Sequence, residues 1–131
     1  MRKIFLVFSH QLTKGQMEDA YSTFGVDEFI YLPDDLKKVW TSIPPEEESI
    51  RLYVDRIAEW IKQNSKKGDY VLIQGDFGAT FLLVDFCFES GLIPVYSTTA
   101  RDADERAFND GTVKVQRIFR HVRFRKYERW K

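Results

Sequence analysis

Three short segments of the chain follow apolar runs and carry side chains that could bind and cleave an anionic ligand. They contain hydroxyls, amides, an imidazole, a guanidinium and two glycines. Such groups can hold a phosphate, transfer a proton and stabilise developing negative charge. The segments are Ser9, His10, Gln11 and Thr13; Gln74, Gly75, Asp76, Phe77 and Gly78; and Ser97, Thr98, Thr99, Ala100 and Arg101.

The third segment predicts anion binding most directly. Its three consecutive hydroxyls can hold several phosphate oxygens, and the planar fork of Arg101 favours doubly hydrogen-bonded contacts. The alternative is a solvated loop in which Arg101 pairs with Asp102 or Asp104. We favour the anion site.

The other two segments each leave two roles open. His10 either transfers protons or is a structural histidine, and its place beside Ser9 at a strand end favours the first role. Gly75 and Gly78 either let backbone amides at a helix start approach a phosphate or serve a turn that needs glycine.

Several common kinds of site are not predicted. The sequence has neither the Gly-x-Gly-x-x-Gly dinucleotide motif nor the Gly-Lys-Ser/Thr of a phosphate loop. Two histidines and one cysteine do not make a zinc set. We therefore expect no metal and no cofactor.

Three other residues are expected outside the site. Cys87 lies in an apolar run and is assigned to the core rather than to nucleophilic chemistry. His121 is assigned to a strand. Asp85 stands alone in an apolar helix and is expected to face a dimer partner or an arginine of the tail.

Alternating strands and helices are predicted to position the three segments. Apolar runs predict strands at residues 4–8, 28–32, 70–74 and 92–96. Helical periodicity predicts helices at 13–24, 34–40, 46–64 and 79–90, the second capped by Asp34 or Asp35. Residues 97–101 are predicted as a loop, 102–108 as one or two helical turns, and 112–130 as an extended segment.

This order of elements predicts one α/β domain over residues 1–131. Its sheet is mostly parallel and flanked by helices, and the C-terminal segment adds an antiparallel edge strand or hairpin. Because ligands bind outside the carboxyl ends of the strands in such sheets, we expect the three segments to converge there.

The charge is unevenly distributed. The net charge is zero, but residues 112–131 carry eight basic residues and one acid. This basic segment can bind a small anion or pair with the acidic residues in the rest of the chain. The zero net charge of the protein gives no reason to expect binding to long nucleic acids. A single cysteine, with no predicted signal peptide or membrane span, favours the cytoplasm.

Taken together, the motifs resemble those of the small single-domain CRISPR-associated ring nucleases of type III systems. The resemblance spans nearly the whole chain in order. It rests on residues 7–13, on Tyr31, Leu32 and Pro33 followed by Trp40, and on residues 74–78, 96–101 and 119–127. It implies a Rossmann-like fold, a homodimer, and binding and cleavage of cyclic tetra-adenylate, which ends the type III response.

From this resemblance and the residue chemistry we derive a metal-free mechanism in which the ribose 2′-hydroxyl attacks the phosphate. The product would carry a 2′,3′-cyclic phosphate. Ser9, His10 and Arg101 are the predicted catalytic residues, and Phe77 or Trp40 would stack on adenine, although we expect Trp40 in the core. The ligand-binding residues are Gln11, Thr13, Gln74, Gly75, Asp76, Phe77, Gly78, Ser97, Thr98 and Thr99.

Two other functions fit the same sequence. A binding protein of this fold would hold cyclic oligoadenylate as a sponge or sensor without cutting it. A subunit that docks to a CRISPR effector or to RNA through the basic tail is the third possibility, disfavoured by the apolar alternation of that tail.

Overall fold

The structure, a computed structural model, describes residues 2–107, 111 and 113–131, with side chains for 2–100, 111 and 120–131. These residues form five strands and four helices. The strands are β1 (Arg2–Val7), β2 (Val26–Tyr31), β3 (Tyr70–Ile73), β4 (Ile93–Ala107) and β5 (Val113–Lys126). The helices are α1 (Lys14–Phe24), α2 (Asp34–Thr41), α3 (Arg51–Asn64) and α4 (Phe77–Glu89).

The strands form one sheet in the order β2-β1-β3-β4-β5. The first four are parallel, and β5 runs antiparallel to β4 at the edge. The prediction of a Rossmann-like, mostly parallel α/β sheet with a C-terminal antiparallel hairpin is therefore confirmed. The chain passes from β1 to β2 in one direction and then returns to β3 and β4 in the other. This reversal lies between β1 and β3, where such sheets bind their ligands.

Helices cover both faces of the sheet, which explains the unbroken apolar run in β1. On one face Ile4 and Leu6 pack in a cluster with Ala20 of α1 and Phe124 of β5. On the other face Phe5 and Val7 pack with the apolar sides of α2, α3 and α4. Cys87 is fully buried in this second cluster, as predicted.

Local capping sets the bounds of α1. Thr13 Oγ1 accepts the Gln16 backbone N–H at 3.1 Å, and Gln16 Oε1 accepts the Thr13 N–H at 2.9 Å. This reciprocal pair is a capping box. The helix ends at Gly25, whose φ of 69° is a left-handed conformation that favours glycine. Both ends lie within one residue of their predicted positions.

The starts of two helices and the cap of a third differ from the prediction. Residues 46–50 precede α3 in a turn, where the Glu47 N–H donates to the Pro44 carbonyl at 3.5 Å, so the predicted start at residue 46 is wrong. Helix α2 begins after Pro33 without a side-chain cap, and Asp34 and Asp35 lie in its first turn instead. Helix α4 begins at Phe77, two residues early, because Asp76 Oδ2 accepts the Ala79 N–H at 3.0 Å.

The largest difference is in β4. Residues 97–101 were expected to form a loop and residues 102–108 helical turns, but β4 continues to Ala107, paired with β5 along its length. Pairing to β3 ends at Val95, so the remainder of β4 is ordered by β5 alone. Cross-strand pairing to a distant segment here overrides the local preference. Phe108, the last residue of the predicted helical turns, lies outside the described residues.

None of the helices in the described ranges has the length and apolar character needed to cross a membrane.

Close packing of the indole of Trp40 against Gly75 fixes the backbone after β3. Trp40 is 3% exposed, and its Nε1–H donates to the Gln74 carbonyl at 3.0 Å. A Cβ at Gly75 would lie 2.7 Å from Trp40 Nε1, whereas one at Gly78 would meet nothing nearer than 3.5 Å. Gly75 is therefore required by close approach. Trp40 is a core residue, as expected.

We expect Gly75→Ala to lower the free energy of unfolding by about 2 kcal/mol, because the rigid indole must move. Gly78→Ala is the matched control and should be neutral or stabilising by up to about 1 kcal/mol, since it lies within α4. Urea unfolding of both variants measures the difference. Equal effects of the two substitutions would contradict the packing argument.

Candidate functional site

Two adjoining clefts lie at the carboxyl ends of the parallel strands. The first, named the Ser9 cleft, has a volume of about 320 Å³ and is lined by Ser9, Trp40, Thr41, Ile43, Gln74, Gly75 and Asp76. The second, named the Tyr96 cleft, has a volume of about 340 Å³ and is lined by Gln74, Gly75, Phe77, Thr80, Tyr96 and Tyr127. Gln74 and Gly75 line both clefts. The first two predicted segments are therefore brought together.

The segment after β1 is largely exposed. Ser9, His10 and Gln11 are open to solvent, and the His10 ring lies edge-on to Phe8 with centroids 6.4 Å apart. The Tyr31 hydroxyl accepts the Leu12 N–H at 3.2 Å, which holds this segment over the end of β2. Thr13, predicted to bind ligand, is engaged in capping α1.

The segment after β3 contains one residue that joins strand ends, Gln74, and one exposed aromatic ring, that of Phe77. The Gln74 N–H donates to the Val7 carbonyl at 3.1 Å, and Gln74 Oε1 accepts the Ser97 N–H at 2.8 Å. Gln74 thus joins the ends of β1, β3 and β4. Phe77, the first residue of α4, is 94% exposed and could stack on a planar ligand.

The third predicted segment is part of β4 rather than a loop. Thr98 Oγ1 donates to the Arg123 carbonyl at 3.0 Å and accepts the Arg123 N–H at 3.2 Å, so this side chain supports the strand pair. Arg101 pairs with Phe119 in the ladder. Its side chain lies outside the described residues, and its role stays a prediction.

A β-bulge in this strand pair brings His121 to the side of the sheet covered by α1. Ser97 pairs with Phe124 and Thr98 with Arg123, but Thr99 pairs with His121, so Val122 is the extra residue. Strict alternation would place residues 121 and 124 on opposite faces. The bulge places them on the same face, with ring centroids 4.7 Å apart.

His121 joins a serine and an aspartate that are distant in sequence. Its Nδ1 lies 2.5 Å from Ser97 Oγ, and its Nε2 lies 2.7 Å from Asp19 Oδ2. The side chains of His121 and Asp19 are only 14% and 25% exposed. This arrangement, named the Ser97–His121–Asp19 chain, lies between α1 and the β4–β5 pair.

The charge state of Asp19 follows from its contacts. Partial burial raises the pKa of Asp19, but hydrogen bonds from His121 and Thr23, together with attraction to the imidazole, lower it more, so the pKa falls below its usual value. An ionised carboxylate only accepts hydrogen bonds, so the proton between this pair lies on His121 Nε2. In a neutral imidazole Nδ1 is then an acceptor, and Ser97 Oγ donates to it.

The sequence pattern correctly predicts a strand at His121 but does not predict this contact, and Asp19 was not among the candidate residues. The residues are 102 positions apart, and the bulge reverses the face that alternation assigns to His121. One feature of the sequence could have indicated this contact. Gln16 and Asp19 are polar residues three positions apart, on one turn of the helix that follows the Ser9 segment.

Other reactive side chains are accounted for elsewhere. Burial raises the pKa of the Cys87 thiol to about 12, which makes it a poor nucleophile. Asp85 is exposed, and the tail arginine Arg129 pairs with Glu89 at 3.2 Å instead. Within the described part of the chain, no three His, Cys, Asp or Glu side chains are grouped so that they could hold a metal ion.

The fold and these clefts define an α/β protein with a candidate ligand site at the reversal of strand order. The chain belongs to the Uncharacterized protein MJ1673 family, whose family model matches residues 2–125. It is 50% identical over 127 residues to "Uncharacterized protein MJ1673" of Methanocaldococcus jannaschii, covering 97% of this chain and 98% of that protein. No solved structure matches the chain significantly. Neither name specifies an activity.

We expect Asp19→Asn to lower the free energy of unfolding by about 1–2 kcal/mol at neutral pH, because a charge-assisted hydrogen bond is weakened. Since the pKa of Asp19 is lowered in the folded state, its contribution is present above the unfolded pKa and is lost as the pH falls through the folded value.

The difference between the native protein and Asp19→Asn should therefore shrink below about pH 4. Denaturant unfolding at neutral and acidic pH measures it. Glu18→Gln, the same charge change at an exposed position of α1, should have little effect. A loss in Asp19→Asn that is independent of pH would contradict the assigned charge state.

Proposed function

We propose that the protein is a cytoplasmic ring nuclease that binds cyclic tetra-adenylate and cleaves it by attack of a ribose 2′-hydroxyl. Products with 2′,3′-cyclic phosphate ends would switch off type III CRISPR signalling. The observation that carries this proposal is the pair of adjoining clefts at the ends of β1, β3 and β4. They combine the hydroxyl of Ser9, the backbone of Gln74 and Gly75, and the exposed phenyl ring of Phe77.

The predicted residues have compatible roles at these clefts. Ser9 and Gln11 would orient the phosphate or the 2′-hydroxyl, and Phe77 would stack on adenine. Arg101 would stabilise the charge that develops on phosphorus, and His10 would transfer a proton at the 5′- or 2′-oxygen. Because RNA supplies its own nucleophile, the reaction needs only positioning, proton transfer and charge stabilisation.

The role of Arg101 is proposed from the sequence. Its backbone lies in β4, four residues beyond Ser97. Ser97 in turn is hydrogen-bonded to Gln74, which lines both clefts.

We infer that a second copy of the chain covers the apolar groove between α4 and the C-terminal residues, named the α4 groove. Phe77, Phe81 and Trp130 are 94%, 73% and 98% exposed there. Such a patch is unusual on a monomer. The groove continues into the Tyr96 cleft through Phe77 and Thr80, so an isologous dimer would place two clefts near one axis. A four-membered RNA ring has matching approximate two-fold symmetry.

The alternative function is a sponge or sensor that binds cyclic oligoadenylate without cutting it. Exposed Phe77 and the open clefts serve binding equally well. The two functions differ in whether the ring survives incubation with the protein.

The native protein is expected to convert labelled cyclic tetra-adenylate to linear products in the presence of excess chelator, and Arg101→Ala should nearly abolish single-turnover cleavage. Arg56→Ala is the matched control, because Arg56 lies on α3 in an exposed pair 3.9 Å from Asp35, which contributes little. Native-rate cleavage by Arg101→Ala would remove this residue from the mechanism. An intact ring after incubation with the native protein would favour the sponge.

The native protein is expected to be a dimer in solution, and Phe81→Asp should convert it to a monomer by placing a charge in the α4 groove. Leu52→Asp is the control, because Leu52 is also exposed, at 79%, but lies on α3 outside the groove. Size-exclusion chromatography with light scattering measures the masses. A native monomer, or an unchanged dimer of Phe81→Asp, would contradict the inferred interface.

A further inference from the structure

We propose that the Ser97–His121–Asp19 chain removes the proton from the attacking 2′-hydroxyl, with Ser97 Oγ in contact with that hydroxyl. This inference rests on the proposed ring cleavage and assigns its base. It also leaves His10 with a single task, protonation of the departing 5′-oxygen.

The backbone of Ser97 joins the chain to the wall of the clefts. The Ser97 N–H donates to Gln74 Oε1 at 2.8 Å, and Gln74 forms part of the wall of both clefts. The half-buried Ser97 hydroxyl faces α1, where Gln16 Nε2 donates to it at 3.3 Å from the first turn of the helix that follows the Ser9 segment. A ring that extends from the clefts across the strand ends to this turn would bring a 2′-hydroxyl to Ser97.

The capping box at the start of α1 sets the direction of the hydrogen bonds. Because Gln16 Oε1 accepts the Thr13 N–H, the amide nitrogen of Gln16 faces Ser97 Oγ, at 3.3 Å. Ser97 Oγ therefore accepts from Gln16, and it donates to Nδ1 when His121 is neutral with its proton on Nε2. A hydroxyl oxygen accepts two hydrogen bonds. Among the described residues Gln16 supplies one of them, and the 2′-hydroxyl would supply the other.

The proton transfer is balanced in one concerted step. The 2′-hydroxyl proton passes to Ser97 Oγ while the Ser97 proton passes to His121 Nδ1. The 2′-oxygen then forms its bond to phosphorus, and the bond from phosphorus to the 5′-oxygen breaks. The departing 5′-oxygen takes a proton from His10. The imidazolium later releases its proton to solvent.

Asp19 is the positioning residue of the chain. Its carboxylate holds the imidazole so that Nδ1 faces Ser97, and its charge stabilises the imidazolium formed by the transfer. The order carboxylate, imidazole, hydroxyl is that of the serine hydrolases, although the two ring nitrogens have exchanged partners. The imidazole also packs against the ring of Phe124, with centroids 4.7 Å apart.

The test is single-turnover cleavage of labelled cyclic tetra-adenylate by Ser97→Ala, His121→Gln and Asp19→Asn. We expect losses of about 100-fold or more for Ser97→Ala and His121→Gln, with ring affinity nearly unchanged. Asp19→Asn should also be slow, and Glu18→Gln should match the native protein. Asp19→Asn is nearly isosteric, so it keeps the test valid if His121→Gln does not fold.

The pH dependence of the cleavage rate distinguishes a His121 that transfers a proton from a His121 that only stabilises the structure. The part of the native pH dependence that reflects the base should be absent in His121→Gln. A ring with sulfur in place of each 5′-oxygen, whose leaving group needs no proton, should not restore cleavage by Ser97→Ala. Restoration to the native rate would overturn the assignment as base.

The outcomes distinguish this inference from the proposed function. If the native protein cleaves and His121→Gln cleaves equally fast with the same pH profile, the chain is not the base, and the ring nuclease stands. If the native protein leaves the ring intact, both are overturned.

Discussion

The hydrogen bonds of Gln74 hold the functional end of this molecule together. Its N–H reaches β1, its carbonyl accepts the indole of Trp40 in α2, and its side chain accepts from the backbone of β4. One residue thus fixes the relative positions of three strand ends and a helix. The Ser9 cleft, the Tyr96 cleft and the placement of Ser97 all depend on these contacts.

Most of the fold could be predicted because its signals are local. The apolar run of β1, the capping residue Thr13 and the stop at Gly25 specify their elements within a few residues. Residues 97–107 were misassigned because their order comes from β5, a partner that follows later in the chain. The Asp, Ala, Glu and Arg content of this stretch is compatible with a helix, and only the cross-strand ladder decides against it.

The candidate site was predictable in part for the same reason. Ser9 and Gly75 were found because strand ends in a parallel sheet converge, which is a rule of topology. His121 and Asp19 were not, because one extra residue in β5 changes the face that His121 occupies. Bulges leave little trace in a single sequence. Thr98, whose binding to an anion stays a prediction, is hydrogen-bonded to Arg123 beside that bulge.

The capping box of α1 has a thermodynamic consequence. Gln16 both closes the first turn of the helix and donates to Ser97, so the order of the helix start and the orientation of the serine hydroxyl are linked. A ligand that strengthens the bond to Ser97 must stabilise the first turn of α1, and fraying of that turn must weaken the ligand by the same free energy. Affinity and helix stability are in this way two measures of one equilibrium.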